Sequence, residues 1–210
     1  VFHASLSTPA IDIRAAAPSS LVLHFDSSWR QEPQTGQLTA RFDGGSEVVL
    51  LELDEASPSA LNATYALALN NPAGARYVVL KWNYQGINNW WWAIDNIEVK
   101  GVVPNNNILF SEDFDGLALG PNVDESVAGD AVWTKTAPAG WSIDDSGVPG
   151  VGDPAQDGVT EWAGWSFASK DWWVEAAGDQ RRSEFVNSTG IAAIADGDEW
   201  DDQDHAEGYL

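Results

Sequence analysis

The 210-residue sequence contains no cysteine and no methionine. The missing cysteine excludes disulfides, thiolate metal sites and a cysteine nucleophile. The missing methionine predicts that Val1 is not a translation start and that the chain is a processed form or part of something longer. Positive charge is scarce. Ten Lys and Arg stand against 32 Asp and Glu, a formal net charge of −22. Such a chain lacks the basic face that phosphate contacts require, so nucleic acid is not an expected partner. It is equally unsuited to an anionic membrane surface. No apolar run approaches the roughly 20 residues needed to cross a bilayer, so no membrane insertion is expected. No signal peptide is visible. Imidazole is limited to His3, His24 and His205, and no G-x-S-x-G element occurs. The expectation is that the chain is not an enzyme.

The residues that are present belong to a folded protein. The chain is 44% hydrophobic and 11% aromatic, too apolar for a disordered acidic tail. The first hundred residues read as strands. Leu21, Leu23 and Phe25 alternate with Val22, His24 and Asp26, and Leu38, Ala40 and Phe42 with Gln37, Thr39 and Arg41. Val48 to Leu53 is apolar but for Glu52, the pattern of a strand buried on both faces. Leu61 to Leu69 alternates again, and Ala75 to Tyr84 and Trp91 to Val99 complete the series. Turn signals at Asp43-Gly44-Gly45 and Asn70-Asn71-Pro72 separate them. Short strands and frequent turns predict an all-β sandwich.

Beyond Val103-Pro104-Asn105-Asn106-Asn107, a linker by composition, the texture changes. A strand starts at Ile108, and Gly, Pro and Asp dominate as far as Asp171. Lys170 to Ala177 reads as a short helix and Gly190 to Ala195 as a short strand. The second half has too few strands to close a sandwich alone. The reading is therefore 1–103 as one half, 104–107 as linker and 108–210 as the other half, out of phase with the natural domain.

Tryptophan is abundant, with twelve residues. Trp90, Trp91 and Trp92 are consecutive, as are Trp172 and Trp173. Consecutive residues of a strand point to opposite faces. One ring of each run therefore lies on a second packed face, in an interface or in solvent. Trp90, Trp91, Trp172 and Trp173 are the candidate ligand or interface residues, with burial under long loops as the structural alternative. Acid is clustered too. Asp196, Asp198, Glu199, Asp201, Asp202 and Asp204 resemble part of a calcium loop without the complete EF-hand pattern. Asp196, Asp198, Asp201 and Asp202 are candidate ligands, the alternative being a solvated acidic loop. Asp144, Asp145, Asp153 and Asp157 form a weaker group. His3 and His205, with Asp202 and Asp204, are a minor metal candidate. Arg181-Arg182 is the one Arg pair and is expected to salt-bridge into these acidic surroundings. Asn62-Ala63-Thr64 and Asn187-Ser188-Thr189 fit the N-glycosylation sequon.

Two segments carry a resemblance. Trp92-Ala93-Ile94-Asp95-Asn96-Ile97-Glu98-Val99 and Phe110-Ser111-Glu112-Asp113-Phe114-Asp115 resemble the closing and opening strands of the MAM-like, cleaved-adhesin type of jelly roll, found in large secreted bacterial proteins. Here the closing signature comes first. The resemblance implies one period of a tandem array cut at an arbitrary phase, or a circularly permuted domain. It implies a jelly-roll β-sandwich with long Trp- and Asp-rich loops. It also implies calcium, held where first and last strands meet, with Glu112, Asp113 and Asp115 facing Asp95. The residues themselves bear on Asp95. It shares strand parity with Ala93, Ile97 and Val99, so it points inward unless a bulge intervenes, and a lone carboxylate there needs a cation or hydrogen-bond donors.

The function expected from these readings is a calcium-supported structural repeat of a secreted fibre, stalk or giant adhesin, located outside the cell or at its surface. Its partners would be copies of itself, joined by strand complementation and aromatic interfaces. The alternative is a carbohydrate-binding module of a larger secreted enzyme, gripping a polysaccharide with one or two exposed Trp. A hydrolase using the acidic loops is the least supported reading.

Overall fold

The computed structural model describes residues 1–101, 107–123, 125, 127–148 and 161–202, the last two by backbone alone. Among the described residues thirteen strands follow one another: β1 (Phe2–Ser7), β2 (Ile11–Asp12), β3 (Leu21–Trp29), β4 (Thr35–Phe42), β5 (Glu47–Leu53), β6 (Ala60–Ala68) and β7 (Tyr77–Gly86) come first. Then come β8 (Trp91–Gly101), β9 (Ile108–Glu112), β10 (Trp133–Thr134), β11 (Ser142–Gly147) and β12 (Ser166–Ser169). Helix α1 (Lys170–Ala176), a 3₁₀ turn (Arg182–Glu184), β13 (Ile191–Asp196) and helix α2 (Gly197–Asp202) end the described chain.

The strands form two antiparallel sheets packed as a β-sandwich, the class predicted from the strand pattern. The first has the order β11-β1-β7-β4-β5, with β2 also on β7. The second runs β10-β12-β13-β8-β3-β6, with β9 also on β8. Each sheet draws strands from both sides of residue 107. The segment that resembles an opening strand pairs directly with the one that resembles a closing strand, Ile97 opposite Glu112.

Alternation decides what fills the interior. On the second sheet Leu21, Leu23, Phe25 and Trp29 of β3 point inward, as do Trp92 and Ile94 of β8. On the first, Leu38 and Ala40 of β4 and Leu80, Trp82 and Tyr84 of β7 meet them. Trp29 and Trp92 are cross-strand partners packed edge to face, their ring centres 6.0 Å apart. Trp82 stacks on Trp141, and Trp141 packs on Phe114. The rings fit because the opposite sheet yields. A Cβ on Gly36 of β4 would stand 2.9 Å from the Trp92 ring and 3.0 Å from Trp29.

Part of the outer face of the second sheet is covered by the chain itself. Helix α1, the 3₁₀ turn and the loop before β13 lie over it as a partial third layer. Trp91, one residue from Trp92 and therefore on the other face, packs against Trp173 of α1 at 5.7 Å, edge to face. Ser169 caps α1, accepting from the Trp172 amide. Trp172 stacks on Trp162 at 5.9 Å. Eleven of the twelve tryptophans are buried, and Trp90 is half-buried.

Gly36 gives the first prediction. Gly36→Val drives a branched side chain into the Trp29–Trp92 pair and lowers unfolding free energy by roughly 1–3 kcal/mol. Urea denaturation measures it, and an unchanged midpoint would contradict the packing described.

Candidate functional site

Two polar centres lie beneath the third layer. The first is built on Arg182, whose side chain is fully buried. Its guanidinium sits 4.4 Å from the Trp91 ring centre and 5.5 Å from that of Trp173. Nε and Nη2 donate to Asp196 Oδ2 at 3.3 and 2.9 Å. Nη2 also donates to Glu199 Oε1 at 2.8 Å. Nη1 donates to the Ala177 carbonyl and to Gln180 Oε1. Asp198 completes the anionic side at 3.7 Å. A buried guanidinium needs such a set, because its desolvation is offset only when charge and donors are both matched.

Asp196 has three tasks here. It pairs with Arg182, accepts from Trp173 Nε1 at 3.1 Å and accepts from the Glu199 amide at 3.2 Å. The last bond is a helix N-cap. The stretch predicted to be an acidic loop is instead helix α2, opened by Asp196 with Glu199 three residues on, the capping-box spacing. Burial raises the Glu199 pKa, and the Asp196 charge raises it further against the pull of Arg182. The candidate ligands Asp196 and Asp198 therefore face a resident cation, Arg182. The side chains of Asp201 and Asp202 lie outside the described residues, as do Asp153, Asp157, Asp204 and His205.

The aromatic candidates gather at the same centre. Trp91 and Trp173 are fully buried and Trp172 nearly so, which decides between the alternatives left open by the sequence. The second packed face is the alternative that holds. Trp90 lies under the Arg30 guanidinium, 3.3 Å from its ring centre, and Arg30 donates to the Gln180 carbonyl. That contact covers the one half-buried ring.

The second centre is Asp95. Strand β13 pairs with β8 at Trp91–Ile94, and β9 pairs with it from Ile97 on. Asp95 lies in the gap between those two neighbours. The register against β3 shifts here, and Asn96 has φ of 52°. This bulge turns Ile97 and Val99 inward and leaves Asp95 on the outer face, opposite Asp26. Asp95 is nevertheless buried, because the 187–190 segment covers it. Its Oδ1 accepts from the Asn96 amide at 2.7 Å. Burial is the main cause that pushes its pKa up to about 7. The Asp115 charge adds to the rise, while Ser188 and the Thr189 amide oppose it. Ser188 Oγ is fully buried beside this carboxylate and makes no bond of normal hydrogen-bond geometry. Asp115 grips the far side of the same segment. Its Oδ1 accepts from the Ile191 amide at 2.8 Å, and its carboxylate fills the space where a Cβ on Gly190 would stand.

The remaining candidates turn elsewhere. Glu112 accepts from the Phe114 amide and Asp113 from the Asp115 amide, which hold the turn after β9. Both also line a separate open groove of about 510 Å³ with His24, Asp26 and Lys100. The two sequon asparagines bond to each other, Asn62 Nδ2 to Asn187 Oδ1 at 3.1 Å. For calcium, which takes six to eight hard oxygens, the fit is partial. Asp95 of β8, Asp115 of the turn after β9 and the Ser188 hydroxyl of the loop before β13 are hard donors on three segments around the 187–190 stretch. Among the described residues no three acidic or imidazole side chains converge with metal-binding spacing. Backbone carbonyls and water would have to supply the other ligands. No protein-family model matches the chain, and no curated protein sequence matches it.

The raised Asp95 pKa sets a pH dependence. The folded state holds this proton more tightly than the unfolded chain. The stability it contributes is complete below the ordinary value near 3.8 and is lost as pH rises through about 7. In metal-free buffer, Asp95→Asn should therefore gain on the parent chain between pH 4 and pH 8, by on the order of 4 kcal/mol at most. Urea midpoints of both chains across that range measure it. A stability difference that does not change with pH would contradict the assignment.

Proposed function

We propose that the chain is a structural unit of a secreted or cell-surface assembly, a calcium-supported β-sandwich that joins copies of itself. The observation that carries this reading is the use made of the aromatics. Eleven tryptophans are buried within the chain and the twelfth lies under Arg30. Among the described residues no open tryptophan platform is left on which a sugar ring could stack, which weighs against the sugar-binding alternative. The rings instead pack on both faces of the second sheet. The net charge of −22 keeps such units soluble and gives a divalent cation carboxylates to engage.

Asp95 and Asp115, with Ser188, are the residues proposed to hold calcium. The ion would supply positive charge to a buried carboxylate that no described cationic side chain contacts. It would also tie the turn after β9 to the loop before β13, two segments that close the same side of β8. Bound calcium removes the penalty for ionising Asp95, so it should stabilise most at neutral pH and least in acid.

Light scattering, negative-stain microscopy and thermal melting in calcium and then in EDTA test the proposal. Calcium at a hundredfold excess over its dissociation constant adds about 2.7 kcal/mol, a rise of roughly 5–10 °C in Tm for a chain of this size. Asp95→Asn should lose most of that rise. End-to-end oligomers in calcium that shorten in EDTA are the expected particles. A compact monomer whose melting EDTA leaves unchanged would overturn the reading.

A further inference from the structure

The outer face of the first sheet carries rows of polar side chains. Residues opposite one another on neighbouring strands share a face. Glu52, Gln37, Asn83, Ser5 and Asp144 form one such row across β5, β4, β7, β1 and β11. Thr35, Gln85 and His3 form the next. Glu52, Gln37 and Asn83, with the whole second row, line an open groove of about 480 Å³. A second hollow of about 380 Å³ shares Thr35, Asp54 and Gln85 with it and adds Pro33 and Ile87. Together they make one trough with a polar floor and an aliphatic end.

Three features set this trough apart from an ordinary solvent-facing sheet. The chain has 32 acids, yet the middle of the trough holds amides and hydroxyls, and the carboxylates Glu47, Glu52 and Asp54 stand along one wall. The side chains of His3, Thr35 and Gln85 make no hydrogen bond to another described residue, so their donors and acceptors are free for a ligand. The floor is rigid, because Leu38, Trp82 and Tyr84 of the same strands are fully buried beneath it. Binding there costs little ordering of the protein.

We infer that the trough binds a neutral, extended polysaccharide. A sugar hydroxyl both donates and accepts, and an amide side chain offers both groups together. A carboxylate accepts from two adjacent hydroxyls, which suits the β5 wall. Neighbouring strands lie about 4.8 Å apart, close to the length of one unit in an extended sugar chain, so successive strands can serve successive units. Exposed Ile87 and Pro33 match the C–H faces of a pyranose, the part that an indole covers in a stacking site. The acidic wall and the net charge of −22 repel uronate, sulfate and phosphate groups. A protein partner ordinarily places an aromatic or aliphatic anchor at the centre of its contact, where this trough is polar. The site needs no tryptophan and lies on the sheet away from the aromatic layer. It goes beyond the assembly reading and does not depend on it.

Native affinity electrophoresis tests it, with soluble glucan, mannan and xylan as neutral probes and alginate as the acidic one. At least one neutral polymer should retard the chain, and alginate in EDTA should not. Gln37→Ala and Gln85→Ala leave the charge unchanged and should each weaken retardation about three- to tenfold, the worth of one hydrogen bond. Val186→Ala, an exposed change over the other sheet, should not. Circular dichroism checks that the variants fold. Retardation that both glutamine variants leave intact overturns the site. Retardation by alginate alone overturns the ligand class. A chain that no neutral polymer retards overturns the inference, and the assembly reading stands or falls separately on its calcium-dependent particles.

Discussion

The structure depends on a stereochemical constraint at β8. A strand cannot turn neighbouring side chains to the same face. Trp91 and Trp92 therefore demand a hydrophobic partner on each side of the sheet. Trp92 finds one in the sandwich interior, beside Trp29 and Trp165. Trp91 finds one only because the chain returns over the outer face and sets Trp173 and Arg182 upon it. The indole N–H groups are matched on both sides, Trp91 to Ser28 and Trp92 to Ser27, at 3.0 Å each. Adjacent serines thus serve adjacent tryptophans, one pair per face.

Arg182 is what a layer of this kind needs at its centre. Its hydrogen bonds join α1 through Ala177, the following turn through Gln180, β13 through Asp196 and α2 through Glu199. Truncating one member would leave buried charge unmatched, a loss of about 3–5 kcal/mol in comparable pairs. The same return of chain that covers Trp91 also covers Asp95, since the 187–190 segment runs on into β13. The aromatic clamp and the calcium candidate are thus two consequences of one covering layer. The first is satisfied by protein groups, and the second leaves a buried carboxylate with no described cationic side chain beside it.

How much of this was legible in the sequence follows from how local each signal is. The alternating strands β3, β4, β6 and β7 and the helix at Lys170 are visible because period and burial agree. Strand β11, Ser-Ile-Asp-Asp-Ser-Gly, has almost no apolar pattern, and among the described residues it pairs only with β1, at the rim of its sheet. Asp196-Gly197-Asp198-Glu199 carries a legible capping signal, but alternating carboxylates are also a calcium-loop signal, and only the fold separates them. The bulge that reverses the parity of Asp95 has its sole trace in Asn96, a residue type that tolerates positive φ. Arg182 was legible as a partner for acid but not as the centre of the clamp. Its contacts with Trp91 and Asp196 are made by folding and not by spacing.

The central claim is that the third layer is held by the buried charge pair and not merely by apolar contact. A double-mutant cycle on unfolding free energy tests it, using Arg182→Met, Asp196→Asn and the two together at neutral pH. The account predicts a coupling of at least about 2 kcal/mol, with the double variant far less damaged than the sum of the singles. Additive losses, within about 0.5 kcal/mol, would mean that the guanidinium and the carboxylate do not depend on each other, and would contradict it.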